Sequence, residues 1–317
     1  MTRTAFIIAL ILCVSPLPAA TAGTKPTTTP TTIVHLNHRP QADEILRLRE
    51  DAKGSHPDRF FVLPDGYCLK QNVEFARDGD RVLAMDIMYP SKPAQPVPVL
   101  MEITCDNVNR MGSASLLFCR DTLLEGGAFA GFAVAMVDHP VRPPYKGIDD
   151  PMPESLDRMK AAVAKLRELS KELGTTDKIG AIGFSRGGPF AAMLAGQGDV
   201  QAALVHGNRY DYLELIDNDP MLARFEKAWG KRDDNRERWA IHGASHYLTK
   251  NASPMFLNTS DAESPEYRYG LERFAALLKE RNVEHVYQVD PDGRGHRVTT
   301  DPATLEKIYD FFHRHLK

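Results

Sequence analysis

Short apolar runs alternate with helix-patterned segments through most of this chain, and that alternation restricts the fold more than any single motif does. The run "VPVLMEIT" (97–104) is apolar almost throughout, as suits a strand covered on both faces. "FAVAMVDHP" (132–140), "KIGAIGF" (178–184), "VQAALVHG" (200–207), "SPMFLNTSD" (253–261) and "VEHVYQVD" (283–290) read as further strands. Between them lie helical segments: "SLLFCRDTLLEGGAFAG" closed by glycines, "GPFAAMLAG" and "PEYRYGLERFAALLKERN". In "ESLDRMKAAVAKLRELSKELG", Leu156, Met159, Val163, Leu166 and Leu173 share one helical face, and Gly174 ends it. Asp301-Pro302 opens a last helix with an N-cap and a proline at the first position. Ahead of these units, "NVEFAR" and "RVLAMDIMYP" read as a hairpin turned at "DGD". Two antiparallel strands followed by repeated β-α units predict an α/β fold: a mostly parallel sheet with helices on both faces. Functional sites in such sheets lie at the carboxyl ends of the strands.

The N-terminus reads differently. Arg3, the apolar stretch "AFIIALILCV" and the small-residue segment "SPLPAATAG" form a secretory signal pattern, with Ala20-Thr21-Ala22 as the cleavage site. Residues 1–22 are therefore expected to be a leader and residues 23–39, beginning "GTKPTTTPTT", a Thr/Pro tether. "ADEILRLREDAK" reads as a short helix opening a single domain over 40–317. The protein is expected to be exported, periplasmic or extracellular, and to leave the membrane once the leader is cut. The 317 residues are 43% apolar and 26% charged, an ordinary globular balance. A net charge of −3 without basic-aromatic clusters argues against nucleic acid as a partner. Once Cys13 leaves with the signal, Cys68, Cys105 and Cys119 remain. An oxidising compartment predicts one disulfide and one free thiol, with Cys105 and Cys119 the closest pair in sequence. Three buried thiols are the alternative.

The strand "KIGAIGF" runs into "SRGGPF", so that Gly183, Ser185 and Gly187 form a G-x-S-x-G turn between strand and helix. A serine hydroxyl is a poor nucleophile at neutral pH and needs a base, which in turn needs an orienting carboxylate. Gly183 and Gly187 let strand and helix approach closely and push Ser185 out at the tip. The partners are expected in the order acid, then histidine. Asp261 follows one strand and His296 lies in the loop after the last, on the same sheet edge as Ser185. Glu263 is the alternative acid; Asp290 and Asp292 stand close to His296 in sequence.

With Gly183-Phe184-Ser185-Arg186-Gly187-Gly188, Asp261 followed by Pro265, and Gly295-His296, residues 70–317 resemble the α/β-hydrolase superfamily. The chain is most similar there to secreted acetylxylan and feruloyl esterases and to their dienelactone-hydrolase and prolyl-oligopeptidase-like relatives. The resemblance implies a Ser185–His296–Asp261 triad, an acyl-enzyme, no cofactor and no metal, and a small ester or acylated polysaccharide as substrate. It also implies an oxyanion hole. The Arg186 amide is the first donor, and an amide at Cys105 or Asp106, or the side chain of Asn107, is the second. Relatives carry a His-Gly-Gly run at this place, whereas this chain reads "EITCDNVNRMG"; a Cys105–Cys119 disulfide would hold the loop instead. Arg186 beside the nucleophile suits an acidic sugar, as in glucuronoyl esterases, though Gly188-Pro189 replaces the lysine expected there. A salt bridge on the first helical turn is the plainer reading.

Segment 206–250 corresponds to the cap that such enzymes insert before the acid strand. Tyr210, Tyr212, Trp229 and Trp239 are candidates to stack on a sugar or aromatic acyl group, or else pack the insertion's own core. His206, His242 and His246 raise a metal reading, which Gly243 weakens by breaking the helical spacing. Two competing functions remain: a prolyl-oligopeptidase-like peptidase or amidase, and a catalytically silent hydrolase fold that binds a partner.

Overall fold

Eight of the chain's strands hydrogen-bond into one sheet in the computed structural model, which describes residues 32–35, 60–63, 67–103, 131–141, 152–299 and 301–317. β1 (Thr32–His35) and β2 (Phe60–Leu63) form a separate antiparallel pair. The main sheet contains β3 (Tyr67–Asp78), β4 (Arg81–Pro90), β5 (Val97–Ile103), β6 (Ala133–Val137), β7 (Thr175–Gly183), β8 (Ala202–His206), β9 (Met255–Ser260) and β10 (His285–Asp290). Their spatial order is β10-β9-β8-β7-β5-β6-β4-β3. β4 runs antiparallel to both β3 and β6, and the remaining pairs are parallel. The helices are α1 (Met152–Leu173), α2 (Gly187–Gln197), α3 (Leu222–Trp229), α4 (Arg236–Ala240), α5 (Pro265–Glu280) and α6 (Pro302–His315). The leader, the tether, the helical readings at 42–53 and between β5 and β6, and the Cys105–Cys119 pairing lie outside the described residues. Cys68 is a half-buried free thiol. Among the described residues no helix is long and apolar enough to cross a membrane.

The apolar runs are explained by burial of both sheet faces. Val97, Val99, Met101 and Ile103 of β5 join Ile179 and Ala181 of β7, and Met255 and Leu257 of β9, in a core shared with α1, α2 and α5. The intervening Leu100, Ile182, Leu204 and Phe256 join Ile308, Phe311 and Phe312 of α6 in a second core. Successive strand residues face opposite sides, so two covered faces require apolar side chains at both parities. Each fully buried aliphatic or Phe side chain contributes about 1.5–3 kcal/mol.

The insertion between β8 and β9 builds a core of its own. Leu215, Phe225, Trp229 and Trp239 are buried together. Phe225 stacks on Trp229 at 4.9 Å between ring centres, and Trp239 meets Trp229 edge-on at 5.1 Å. This corrects the expectation that Tyr210 and Trp229 contact substrate. Trp229 is 2% exposed within that cluster. Tyr210 is fully buried, stacks on Phe274 of α5 at 4.9 Å, and donates its hydroxyl hydrogen to the carbonyl of His206 at 2.5 Å. A small insertion must bury its largest apolar surfaces to hold a shape, and these rings are those surfaces.

Candidate active site

The elbow forms where β7 ends and α2 begins. Ser185 adopts φ 50°, a left-handed conformation that a residue with a Cβ takes only under constraint. The N–H of Gly187 donates to the Phe184 carbonyl at 2.8 Å, and that of Gly188 to the Ser185 carbonyl at 3.0 Å. A Cβ at Gly183 would run into the carbonyl of Gly187, so only glycine lets the strand pass this close to the helix.

His296 stands on the loop after β10 and bridges two side chains. Its Nε2 lies 2.8 Å from Ser185 Oγ, and its Nδ1 lies 2.8 Å from Glu263 Oε2. A carboxylate against Nδ1 keeps the proton on that nitrogen, leaving Nε2 to accept from the serine hydroxyl. Glu263 has no exposed side-chain surface, and its Oε1 accepts from the Ser264 N–H at 2.8 Å. Gly207 makes room for it, since a Cβ there would overlap the carboxylate.

The carboxylate on His296 is therefore Glu263, the alternative acid of the sequence reading, and not Asp261. Asp261 directly follows β9, is exposed, and accepts through Oδ1 from the Gly293 N–H at 2.9 Å. The turn after β9 directs residue 261 outward and residue 263 inward, and the longer glutamate side chain spans the remaining gap. Asp290 and Asp292 bind Arg294 instead: its Nη1 reaches Asp290 Oδ2 at 2.6 Å and Asp292 Oδ2 at 2.5 Å, and its Nη2 donates to Asn258 Oδ1 at 2.8 Å. Arg294 thus fastens the loop that carries His296. Burial tends to raise the Asp290 carboxyl, but hydrogen bonds from Asn258, Gln288 and Arg294 outweigh it and hold the pKa below the ordinary value.

Three rings surround His296: Tyr267 at 4.9 Å, Phe184 at 5.2 Å and His206 at 5.6 Å. His206 is buried and held well below the usual histidine range, first by desolvation and then by the charges of His296 and Arg294. It therefore stays neutral. His206, Glu263 and His296 offer ligand atoms within 4.8 Å of one another. Of these, Glu263 Oε2 and His296 Nδ1 are already engaged with each other in a hydrogen bond of 2.8 Å. His242 stacks on Trp229 at 4.0 Å, inside the insertion, and His246 packs on Tyr247.

A sequence profile described as the prolyl oligopeptidase family matches residues 155–317, more than half of the chain. The chain belongs to the prolyl oligopeptidase family. No curated protein matches it by sequence. Among solved structures, this family member is similar to the bifunctional GH43-CE of Bacteroides eggerthii, with a TM-score of 0.61 and 21% identity over 79% of this chain and 38% of that one. It is similar to a truncated carbohydrate esterase from gut microbiota, with a TM-score of 0.60 and 19% identity over 79% and 97% of the two chains. It also resembles dipeptidyl peptidase 4 of Porphyromonas gingivalis, with a TM-score of 0.57 and 18% identity over 78% and 35%. The chain thus spans well under half the length of the first and third of these. The shared architecture is the α/β-hydrolase fold, and family and fold together are those of serine hydrolases.

In this prolyl oligopeptidase family member, the expected oxyanion donors and binding residues Cys105, Asp106 and Asn107 lie outside the described residues. Arg186 stands directly after Ser185, and its carbonyl accepts from His139 Nε2 at 3.3 Å. His139, Asn208, Tyr267 and Arg294 were not singled out in the sequence. None belongs to a motif. Their one shared sequence signal is position: each lies in a segment that follows a strand on the catalytic edge.

Proposed function

We propose that this protein is an exported serine hydrolase that cleaves carboxylic esters, with an acylated carbohydrate as substrate. The observation that carries this reading is the unbroken chain from Ser185 Oγ to His296 to the buried Glu263, with 2.8 Å at each step. Ser185 Oγ attacks the acyl carbon while His296 Nε2 takes its proton. Glu263 holds the tautomer and stabilises the imidazolium. The Arg186 N–H donates to the developing oxyanion, and the positive end of α2 favours the same charge. As the tetrahedral intermediate collapses, the leaving alcohol takes the proton from His296. Water then attacks the acyl-enzyme with His296 as base, and Ser185 regains its hydrogen as the acid departs. No step calls for a cofactor.

The carbohydrate part rests on the kinds of protein that share the fold, one of them a carbohydrate esterase by name and another a bifunctional GH43-CE. Export rests on the leader pattern ending at Ala20-Thr21-Ala22. The family match favours amide hydrolysis as the second reading.

The test is turnover of p-nitrophenyl acetate and of peptide p-nitroanilides by the mature chain, beside Ser185→Ala and His296→Ala. Ester turnover that drops by several orders of magnitude in both variants is the expected result. Turnover of the anilides alone would move the assignment to a peptidase. Equal rates in all three proteins, without labelling of Ser185 by a fluorophosphonate, would leave a silent binding fold.

A further inference from the structure

Two side chains from other strand ends grip consecutive peptide units of the elbow. The Ser185 carbonyl accepts a hydrogen bond from Asn208 Nδ2 at 2.7 Å, in addition to the helical one from the Gly188 N–H. That carbonyl belongs to the same planar peptide group as the Arg186 N–H. The next carbonyl, that of Arg186, accepts from His139 Nε2. His139 Nδ1 accepts from the Val141 N–H at 3.2 Å, so the ring proton is on Nε2, where it can donate.

Asn208 is itself held firmly. It follows β8 by two residues and is 9% exposed. Its Oδ1 accepts from the Arg209 N–H at 2.6 Å, which leaves the NH2 group to face Ser185. α5 closes over its backbone at Gly270, where an added Cβ would stand 2.6 Å from the Asn208 carbonyl oxygen.

We propose that Asn208 is a positioning residue for the oxyanion hole, fixing the Ser185–Arg186 peptide so that the Arg186 N–H meets the developing charge. This rests on the serine hydrolase reading above. A residue held at φ 50° has conformations of lower energy nearby, and rotation of the following peptide would swing its N–H away from the site. The bond to Asn208 opposes that rotation from the carbonyl end. It also draws electron density toward the carbonyl oxygen, which makes the N–H of the same peptide a stronger donor. The Gly188 bond persists without Asn208, so what its loss removes is alignment, with the turn left intact.

The test compares wild type with Asn208→Asp, which keeps the shape but has no N–H there, and with Asn208→Ala. Three readouts apply: p-nitrophenyl acetate kinetics, thermal midpoint, and inhibition by a trifluoromethyl ketone, whose hemiketal oxygen occupies the oxyanion position. The expected result is a fall in kcat of about 100-fold in the Asp variant. The Ala variant should lose less. KM should change little and ketone affinity should weaken in parallel with kcat. The midpoint should fall in the Asp variant, which sets a buried carboxylate against the Ser185 carbonyl, and stay nearer wild type in the Ala variant. If the Asp variant does not fold, the Ala variant carries the same comparison. Wild-type kcat and ketone affinity in the variants would overturn the assignment. So would a rise in KM with ketone binding unchanged. A wild type that neither hydrolyses the ester nor takes the fluorophosphonate on Ser185 would instead overturn the serine hydrolase reading, and this assignment with it.

Discussion

Glu263 meets His296 Nδ1 through a carboxylate closed to solvent, and that contact selects the histidine tautomer. Glu263→Gln is expected to lower kcat by about four orders of magnitude, because an amide turned to donate toward Nδ1 favours the wrong tautomer. Asp261→Asn, on the exposed side of the same loop, should stay within a few-fold of wild type. Ester kinetics on the two variants checks the pair directly. His139 offers a pH test. Burial, then the charge of Arg186, lowers its pKa to about 3 from the ordinary 6.5, and Arg81 adds to this. Between those values the folded protein binds fewer protons than the unfolded chain. Stability is therefore complete above pH 6.5 and declines as the pH falls toward about 3, by up to about 1.4 kcal/mol per pH unit from this group. His139→Gln retains an amide donor and removes the titration. Its thermal midpoint should fall less steeply on acidification, with the share due to His206, also depressed by burial, still present.

At the level of elements, the buried Arg294 guanidinium is the charged fastening of the loop after β10, beside the hydrogen bonds from the Gly293 N–H to Asp261 and from Ser260 to Asp292. Arg294 is 9% exposed in its side chain and its partner Asp290 is 5% exposed. Arg294→Ala should cost about 3 kcal/mol, because it leaves the Asp290 carboxylate buried with one partner fewer. It should also lower kcat, since the loop bearing His296 loses its anchor to β9 and β10. Thermal melts and ester kinetics measure the two effects separately. Because its folded pKa is depressed, the Asp290 contribution is full above the ordinary 3.8 and is lost as the pH falls through the lower folded value. Gly183→Ala tests the strand-to-helix turn: its Cβ would meet the backbone of Gly187 and Gly188. Parting β7 from α2 should cost about 1–3 kcal/mol, read as a lower thermal midpoint.

Across the whole molecule, the insertion between β8 and β9 is joined to the catalytic wall through Arg209. The guanidinium makes a bidentate pair with Asp219 at 2.6 and 2.8 Å, and both side chains are buried. It also lies 4.9 Å from the ring centre of Tyr267, which flanks His296, and 5.7 Å from that of Phe225 in the insertion's core. Asp219→Ala should destabilise by about 3–5 kcal/mol, as it strands a buried charge. Limited proteolysis should then cut first within 206–250. A melting temperature equal to wild type would show that this pair does not hold the insertion.

What the sequence determined by itself is what neighbours along the chain can specify. Apolar residues at both parities called for strands covered on two faces, the G-x-S-x-G spacing called for the tight turn at Ser185, and Asp301-Pro302 marked the start of α6, where Asp301 accepts from the Thr304 N–H at 2.9 Å. Tertiary structure decided the rest. Asp261 and Glu263 share one short loop, and only the way that loop leaves β9 turns the second inward to His296. The aromatic rings of the insertion suit a substrate platform and a core equally well by composition; packing buried Trp229 and Tyr210 because solvent exclusion favours the largest apolar surfaces. The grip of Asn208 on Ser185 spans 23 positions and that of His139 on Arg186 spans 47, and each forms because parallel strands bring their carboxyl ends to one edge. Separations of that size leave no periodicity in a sequence, so such contacts become visible only once the sheet has closed.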